Sequence, residues 1–268
     1  VYQDATSLIG SIPDWIRVYD VLSDATKVDL AKKYLEKVYR RLFHVETYSK
    51  AAADFVKGKF YDAAFSFGEW LSPAFVVKKV KAKRKYVWIH IDIDKANFVN
   101  CKELVKYDNE ITGYVFASKN SMEGAIKCCP KMKGKAMVVH NFLDHEEIIR
   151  KSEEKISSEK WKKPYLLSVG NLRVEKNYPR QVEVMKYLHE RKIPIKWLCI
   201  GSTVNEAIYR MVKEKISKYS LENDFILCGV DENPYKYMKG AEAVMVLSDY
   251  ESWSLVITEA QILGIPVI

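Results

Sequence analysis

Two carboxylates near the end of the chain, Glu251 and Glu259, stand eight residues apart in Ser248-Asp-Tyr-Glu251-Ser-Trp-Ser-Leu-Val-Ile-Thr-Glu259. The apolar run Ala243–Leu247 before them reads as a strand that a parallel sheet buries on both faces. After them, Leu255, Val256, Ala260 and Leu263 recur at helical spacing until Gly264-Ile-Pro266 stops the helix. Glu251 is therefore expected at the strand's carboxyl end, where open α/β sheets bind ligands. Glu259 falls on the following helix, about 12 Å further along at 1.5 Å per residue. Two acidic acceptors over that span suit an extended polyhydroxyl ligand better than a metal, whose ligands converge on one point.

The elements that position this pair are legible upstream. Short apolar runs at Tyr61–Phe67, Tyr86–Ile91, Gly113–Ala117, Ala136–His140, Pro164–Val169, Ile195–Ile200 and Asp224–Cys228 alternate with amphipathic stretches, among them Pro179–Arg191 and Val204–Tyr219. That alternation predicts parallel sheets with helices on both faces, an α/β class. The charged, apolar-poor stretch from Asp144 to Lys163 marks the joint, giving domains 1–150 and 151–268. The first 60 residues read as mostly helical, with Leu30, Tyr34, Leu35, Val38 and Leu42 at helical spacing in 28–43.

Composition limits the classes. With 268 residues and 48% hydrophobic, the chain can bury one large or two modest cores. No run reaches the apolar length of a membrane span, and the first residues lack a leader pattern, so a cytoplasmic protein is expected. The five cysteines, Cys101, Cys128, Cys129, Cys199 and Cys228, have no zinc spacing and read as reduced thiols. Net charge is +8, with six cations in Lys78–Lys85. That cluster is either a solvated helix end and loop or a patch for anionic lipid, worth about 1 kcal/mol per cation near the surface. No recognition motif accompanies it, so nucleic acid is not expected.

The segment around the two glutamates resembles the Glu-x7-Glu signature of retaining glycosyltransferases of family four. Other segments resemble that family in its order: Val138-Val-His-Asn141-Phe-Leu-Asp144, Ser168-Val-Gly-Asn-Leu-Arg-Val-Glu-Lys-Asn177, Phe225-Ile-Leu-Cys-Gly229 and Asn233-Pro-Tyr235. The resemblance runs from about Tyr61 to the last residue and implies the GT-B architecture, two Rossmann-like domains facing across a cleft. Against the family pattern the chain is expected to be shortened at both ends, leaving the second domain incomplete.

The resemblance also implies roles. A nucleoside-diphosphate sugar, UDP- or GDP-linked, would lie mainly on the second domain. Lys176 would bind the diphosphate, beside a helix N-terminus that attracts anions. The family's partner arginine is replaced here by Asn171, after Gly170, and Arg173 is expected to take over that contact. Glu251 would accept hydrogen bonds from the sugar hydroxyls, and Glu259 from the ribose hydroxyls. Backbone groups of Ser252, Trp253, Ser254 and Leu255 would face sugar and phosphates, with Ser254 an equally good N-cap. Main-chain groups at Gly229 and Val230 would read the base. His90 would face the sugar from the first domain. Asp92 and Asp94 read as loop or capping residues, since the family needs no metal at this step. Asn141, Asp144 and Asn233-Pro234 read as turn and cap residues.

The implied reaction is metal-independent hexosyl transfer with retention, by same-face attack, to a polysaccharide or lipid-linked acceptor at the inner membrane face. A sugar-nucleotide epimerase of related architecture and a nucleotide-binding homologue that transfers nothing remain as alternatives.

Overall fold

The computed structural model describes residues 15, 16, 50–68, 73–96, 99–156, 164–203 and 205–268. The expected helix at 28–43 lies outside them. The chain divides into two compact units, residues 1–139 and 140–268.

In the first unit, helix α1 (Lys50–Val56) leads into β1 (Phe60–Phe67), followed by α2 (Ala74–Lys79), β2 (Lys81–Ile89), the short α3 (Cys101–Leu104), β3 (Gly113–Phe116), α4 (Lys119–Cys128) and β4 (Ala136–Val138). The sheet order is β1-β2-β3-β4, every neighbouring pair parallel. One face of the sheet packs Val87, Ile89, Tyr114 and Phe116 against Leu104, Ala125 and Met132. β2 starts earlier than its apolar residues suggest. Lys81–Lys85 belong to the strand, paired along β1, and only Lys78 and Lys79 close a helix. Long lysine stems lie along a sheet surface while their ammonium groups stay in water, so a run of cations does not exclude a strand. Lys83 pairs with Asp62 at 2.8 Å, and the Lys85 ammonium donates to the Val77 carbonyl at 2.7 Å.

Cys101 and Cys129 form a disulfide that ties the start of α3 to the end of α4. This corrects the reading of all five cysteines as reduced thiols. A separation of 28 residues shows nothing in the sequence, and only the βα crossovers bring the two side chains together. Cys199 and Cys228 lie on strands as expected and are free.

The second unit opens with α5 (His145–Ser152), then β5 (Tyr165–Val169), a 3-10 turn (Val174–Lys176), α6 (Tyr178–Glu190), β6 (Lys196–Ile200), α7 (Glu206–Lys218), β7 (Phe225–Gly229), the short α8 (Tyr235–Met238), β8 (Ala243–Val244) and α9 (Leu255–Ile262). The division falls ahead of the expected joint because α5 packs on α8 and α9. Asp144 caps α5 as expected, accepting from the Glu147 N–H at 2.9 Å.

The strand order is β7-β6-β5-β8, all parallel. The chain steps outward from β5 to β6 to β7, then β8 returns to the opposite side of β5. That reversal is a topological switch point, and ligands of doubly wound sheets bind at the strand carboxyl ends beside it. β8 has two residues, shorter than the five-residue run read from the sequence, but Met245 and Val246 continue its hydrogen bonding, to Leu167 and Ile268.

A buried polar centre fixes the strands that meet there. The Ser168 hydroxyl accepts from the Trp197 indole N–H (3.0 Å) and lies against Gln181 Oε1 (2.8 Å) and the Met245 carbonyl (3.2 Å), joining β5, β6, α6 and the end of β8. Ser168→Ala takes this partner from the buried Trp197 N–H, at a cost of about 1–3 kcal/mol. The expected result is a melting temperature lowered by several degrees with an unchanged circular dichroism spectrum. An unshifted melt would show that water replaces the hydroxyl at no cost.

Candidate functional site

The carboxyl ends of β5 and β8 bring together two of the charged residues singled out in the sequence. Lys176, on the 3-10 turn after β5, and Glu251, in the loop after β8, form an ion pair at 2.5 Å although 75 residues separate them. Each side chain is about a quarter exposed (25% and 26%), so solvent reaches the pair without fully screening it. Ser248 donates to the same Glu251 oxygen at 2.8 Å. The two loops are also joined by main-chain and side-chain bonds. Asp249 N–H donates to the Glu175 carbonyl (2.9 Å), and the Asn177 amide donates to the Asp249 carboxylate (2.8 Å). Asn177 reaches this position in a left-handed conformation, φ 48° and ψ 44°, which asparagine tolerates better than most residues.

Gly170 lies under Lys176. A Cβ placed on it would sit 3.6 Å from the lysine Cε, and its φ of +151° suits glycine. Its carbonyl accepts from the Tyr178 hydroxyl at 2.5 Å. The Lys176 carbonyl in turn accepts from the Gln181 amide at 3.0 Å, which links the turn to the buried Ser168 centre. A cavity of about 10 Å³, lined in part by Ser168, Lys176, Ser248 and Ser254, has room for one water beneath the site.

Asn171 and Arg173 differ in their engagement. The Asn171 side chain accepts from the Ser202 N–H at 3.0 Å and so holds the β6 loop. Arg173 is exposed, and its guanidinium approaches Glu175 at 3.9 Å with most of its surface open to solvent.

The loop between the two glutamates carries unsatisfied donors. Ser254 occupies the N-cap position of α9, but its hydroxyl makes no capping bond. The Ser254 hydroxyl and the Trp253 indole N–H are buried and have no hydrogen-bond partner among the described residues. The Trp253 ring rests against His140, centroids 4.7 Å apart. Leu255 begins α9 and is partly exposed. Val230, exposed, follows Gly229, whose φ of +79° ends β7 in a turn.

Glu259 lies on α9 as expected and accepts from the Tyr235 hydroxyl at 3.1 Å. Burial pushes its pKa up, and the Tyr235 bond pulls the other way. His90 belongs to the first unit and follows β2, its ring 4.4 Å from Phe67 and stacked on Trp88 at 5.9 Å. Asp92 is buried, and that burial raises its pKa against the pull of Lys95. Asp94 packs on the backbone of α4 at Gly124, where a Cβ would meet its carboxylate at 2.7 Å.

Sequence reasoning missed four partners: Ser248 and Asp249 beside Glu251, Asn177 beside Lys176, and Tyr235 at Glu259. All four lay within the quoted motifs, and for Asn177, Ser248 and Asp249 their polarity near a charged residue was the available signal.

Comparison with known proteins shows what the chain is similar to. Residues 149–268 match the family model described as Glycosyl transferases group 1. Over 144 residues the chain is 30% identical to a Campylobacter jejuni N-acetylgalactosamine-N,N'-diacetylbacillosaminyl-diphospho-undecaprenol 4-alpha-N-acetylgalactosaminyltransferase, covering 53% of this chain and 37% of that protein. The chain spans about two fifths of the length of the curated relatives it matches. Among solved structures, TarM of S. aureus is similar with a TM-score of 0.61 at 20% identity, over 81% of this chain and 43% of TarM. A trehalose-6-phosphate synthase is similar with a TM-score of 0.62 at 12% identity, over 84% of this chain and 63% of that one. Residues 149–268 are thus similar to glycosyl transferases group 1, and the α/β fold of the chain resembles that of the GT-B glycosyltransferases.

Proposed function

We propose that the protein is a retaining glycosyltransferase that moves a hexosyl group from a nucleoside-diphosphate sugar to a polysaccharide or lipid-linked acceptor. The observation that carries this reading is the Lys176–Glu251 pair at the switch point of the second sheet, with Glu259 on the next helix. A sugar nucleotide needs a cation for its diphosphate and acceptors for its hydroxyls, and this site offers both within one loop pair.

In this reading Lys176, with Arg173 reaching in from solvent, holds the diphosphate, and its charge stabilises the leaving group as the glycosidic bond breaks. Glu251 accepts from the sugar hydroxyls and Glu259 from the ribose. The orphaned Trp253 N–H and Ser254 hydroxyl are further donors for sugar or phosphate oxygens. The acceptor attacks from the face the diphosphate leaves, and a diphosphate oxygen takes its proton, without a metal. Val230 main-chain groups meet the base. Of the UDP- and GDP-linked donors, the UDP-linked one is supported by the similarity to TarM, which has been crystallised with UDP. A lipid-linked acceptor is supported by the diphospho-undecaprenol in the name of the Campylobacter relative. Among the described residues no helix is long and apolar enough to cross a membrane, and Lys78–Lys85 would supply the contact with anionic lipid.

Calorimetric titration with uridine, guanosine and adenosine diphosphates and their sugar conjugates tests the reading. One nucleotide is expected to bind selectively, more weakly to Glu259→Ala and to Arg173→Ala. Arg173→Ala with full affinity would remove the arginine from the site. No binding of any nucleotide to the wild type would overturn the donor site as a whole.

A further inference from the structure

Glu259 does not stand alone on its helix. Tyr235 opens α8, 24 residues earlier, and its hydroxyl donates to Glu259 Oε1 at 3.1 Å. Tyr235 is itself delivered by a tightly bonded turn. Asp231 accepts from the Asn233 N–H (2.9 Å), the Lys236 ammonium (3.1 Å) and the Tyr237 hydroxyl (2.8 Å). The buried Asn233 accepts from the Tyr235 N–H (3.1 Å) and donates its amide to the Lys151 carbonyl on α5 (2.8 Å). With its backbone fixed in this turn, Tyr235 has limited freedom to follow Glu259 if the carboxylate turns away. The constraint therefore acts on the carboxylate.

We infer that Tyr235 is a positioning residue for nucleotide recognition, fixing one Glu259 oxygen so that the other is aimed at a vicinal diol. The inference rests on the reading of Glu259 as the ribose acceptor and names the residue that orients it. Three observations support it. Among the described residues, Tyr235 is the one hydrogen-bond donor to the Glu259 carboxylate. Burial and the adjacent carboxylate push the Tyr235 hydroxyl up to about 12, so it stays a donor at neutral pH. Burial also works against the charged form of Glu259 and raises its pKa, and the Tyr235 bond opposes that effect in part. With Oε1 held by the tyrosine, the other oxygen keeps both its lone pairs in a fixed direction for a ribose diol.

The test is calorimetry with UDP or GDP, whichever binds the wild type more tightly, and its 2′,3′-dideoxy counterpart. Tyr235→Phe keeps the ring and removes the donor, and Glu259→Gln is the reference variant. Tyr235→Phe is expected to weaken ribonucleotide binding about tenfold, the scale of a charge-assisted hydrogen bond, and to leave dideoxynucleotide affinity at the wild-type value. A purely structural role would lower both affinities together, and that result overturns the inference. If Glu259→Gln weakens ribonucleotide binding and Tyr235→Phe does not, the inference falls while the ribose reading of Glu259 stands. If neither variant separates the two ligands, both fall.

Discussion

Lys176→Ala and Glu251→Gln are expected to move nucleoside diphosphate affinity in opposite directions. Their charges neutralise each other at 2.5 Å, so a diphosphate must compete with Glu251 for the lysine. Removing Lys176 takes away the cation and leaves Glu251 to repel the phosphates. The loss of a charge-assisted bond, about 1.5–3 kcal/mol, corresponds to roughly 10- to 150-fold weaker binding. Glu251→Gln keeps the shape and the hydrogen bonding but frees the ammonium. Diphosphate binding then tightens by a few-fold, a modest gain because a quarter-exposed pair is already partly screened. Under the proposed function transfer goes the other way: with the sugar's proposed charged acceptor gone, turnover is expected to fall by about two orders of magnitude or more. Calorimetry with the free diphosphate and a turnover assay with the sugar nucleotide, run on the same variants, separate the two effects. If both variants weaken diphosphate binding alike, the ion pair is scaffolding for the two loops and not a place the ligand enters.

The second large effect concerns a residue that touches no ligand. Gly201 ends β6 against the Gly170 turn so closely that a Cβ would lie 1.9 Å from the Gly170 carbonyl oxygen and 2.4 Å from its carbon. Those are backbone atoms, and they are held from several sides. Gly170 N–H donates to Ile200, the Gly170 carbonyl accepts from Tyr178, and Gly201 N–H donates to Gly229. Nothing there can rotate aside as a side chain would. Gly201→Ala is expected to cost about 3 kcal/mol or more, enough to unfold much of the second unit near physiological temperature. Gly134→Ala, where a Cβ meets nothing within 4 Å, is the control and should melt like the wild type. A Gly201→Ala protein with an unchanged melt and unchanged nucleotide binding would mean that β5 and β6 can part without loss, contrary to the packing described.

The contrast between these two sites shows what the sequence could reveal. Lys176, Glu251 and Glu259 were legible because each lies in a local pattern, a strand end followed by a turn and a helix start. The same local logic placed most strands and the helices α6 and α7 within a few residues. The run Lys81–Lys85 was not legible as strand, because its pairing with β1 lies outside the local text and the charges mask the periodicity. The Cys101–Cys129 bond, the Asn177–Asp249 bond and the Tyr235–Glu259 bond all join segments that meet only through the sheet order. Gly201 gave no signal either, since its constraint is the distance to a backbone atom on another strand.

The loop pair has a consequence for the time at which the site comes into being. Its basic half is synthesised 75 residues before its acidic half. During that interval β5, β6 and β7 can already pair, since each adds to the outer side of its predecessor. The return of β8 to the far side of β5 is the long-range step, and such steps are slow because the intervening chain must be closed first. Until then Lys176 is an unmatched cation at an open sheet edge. Nucleotide binding should therefore appear late in refolding, after most secondary structure, in the same kinetic phase as the docking of β8.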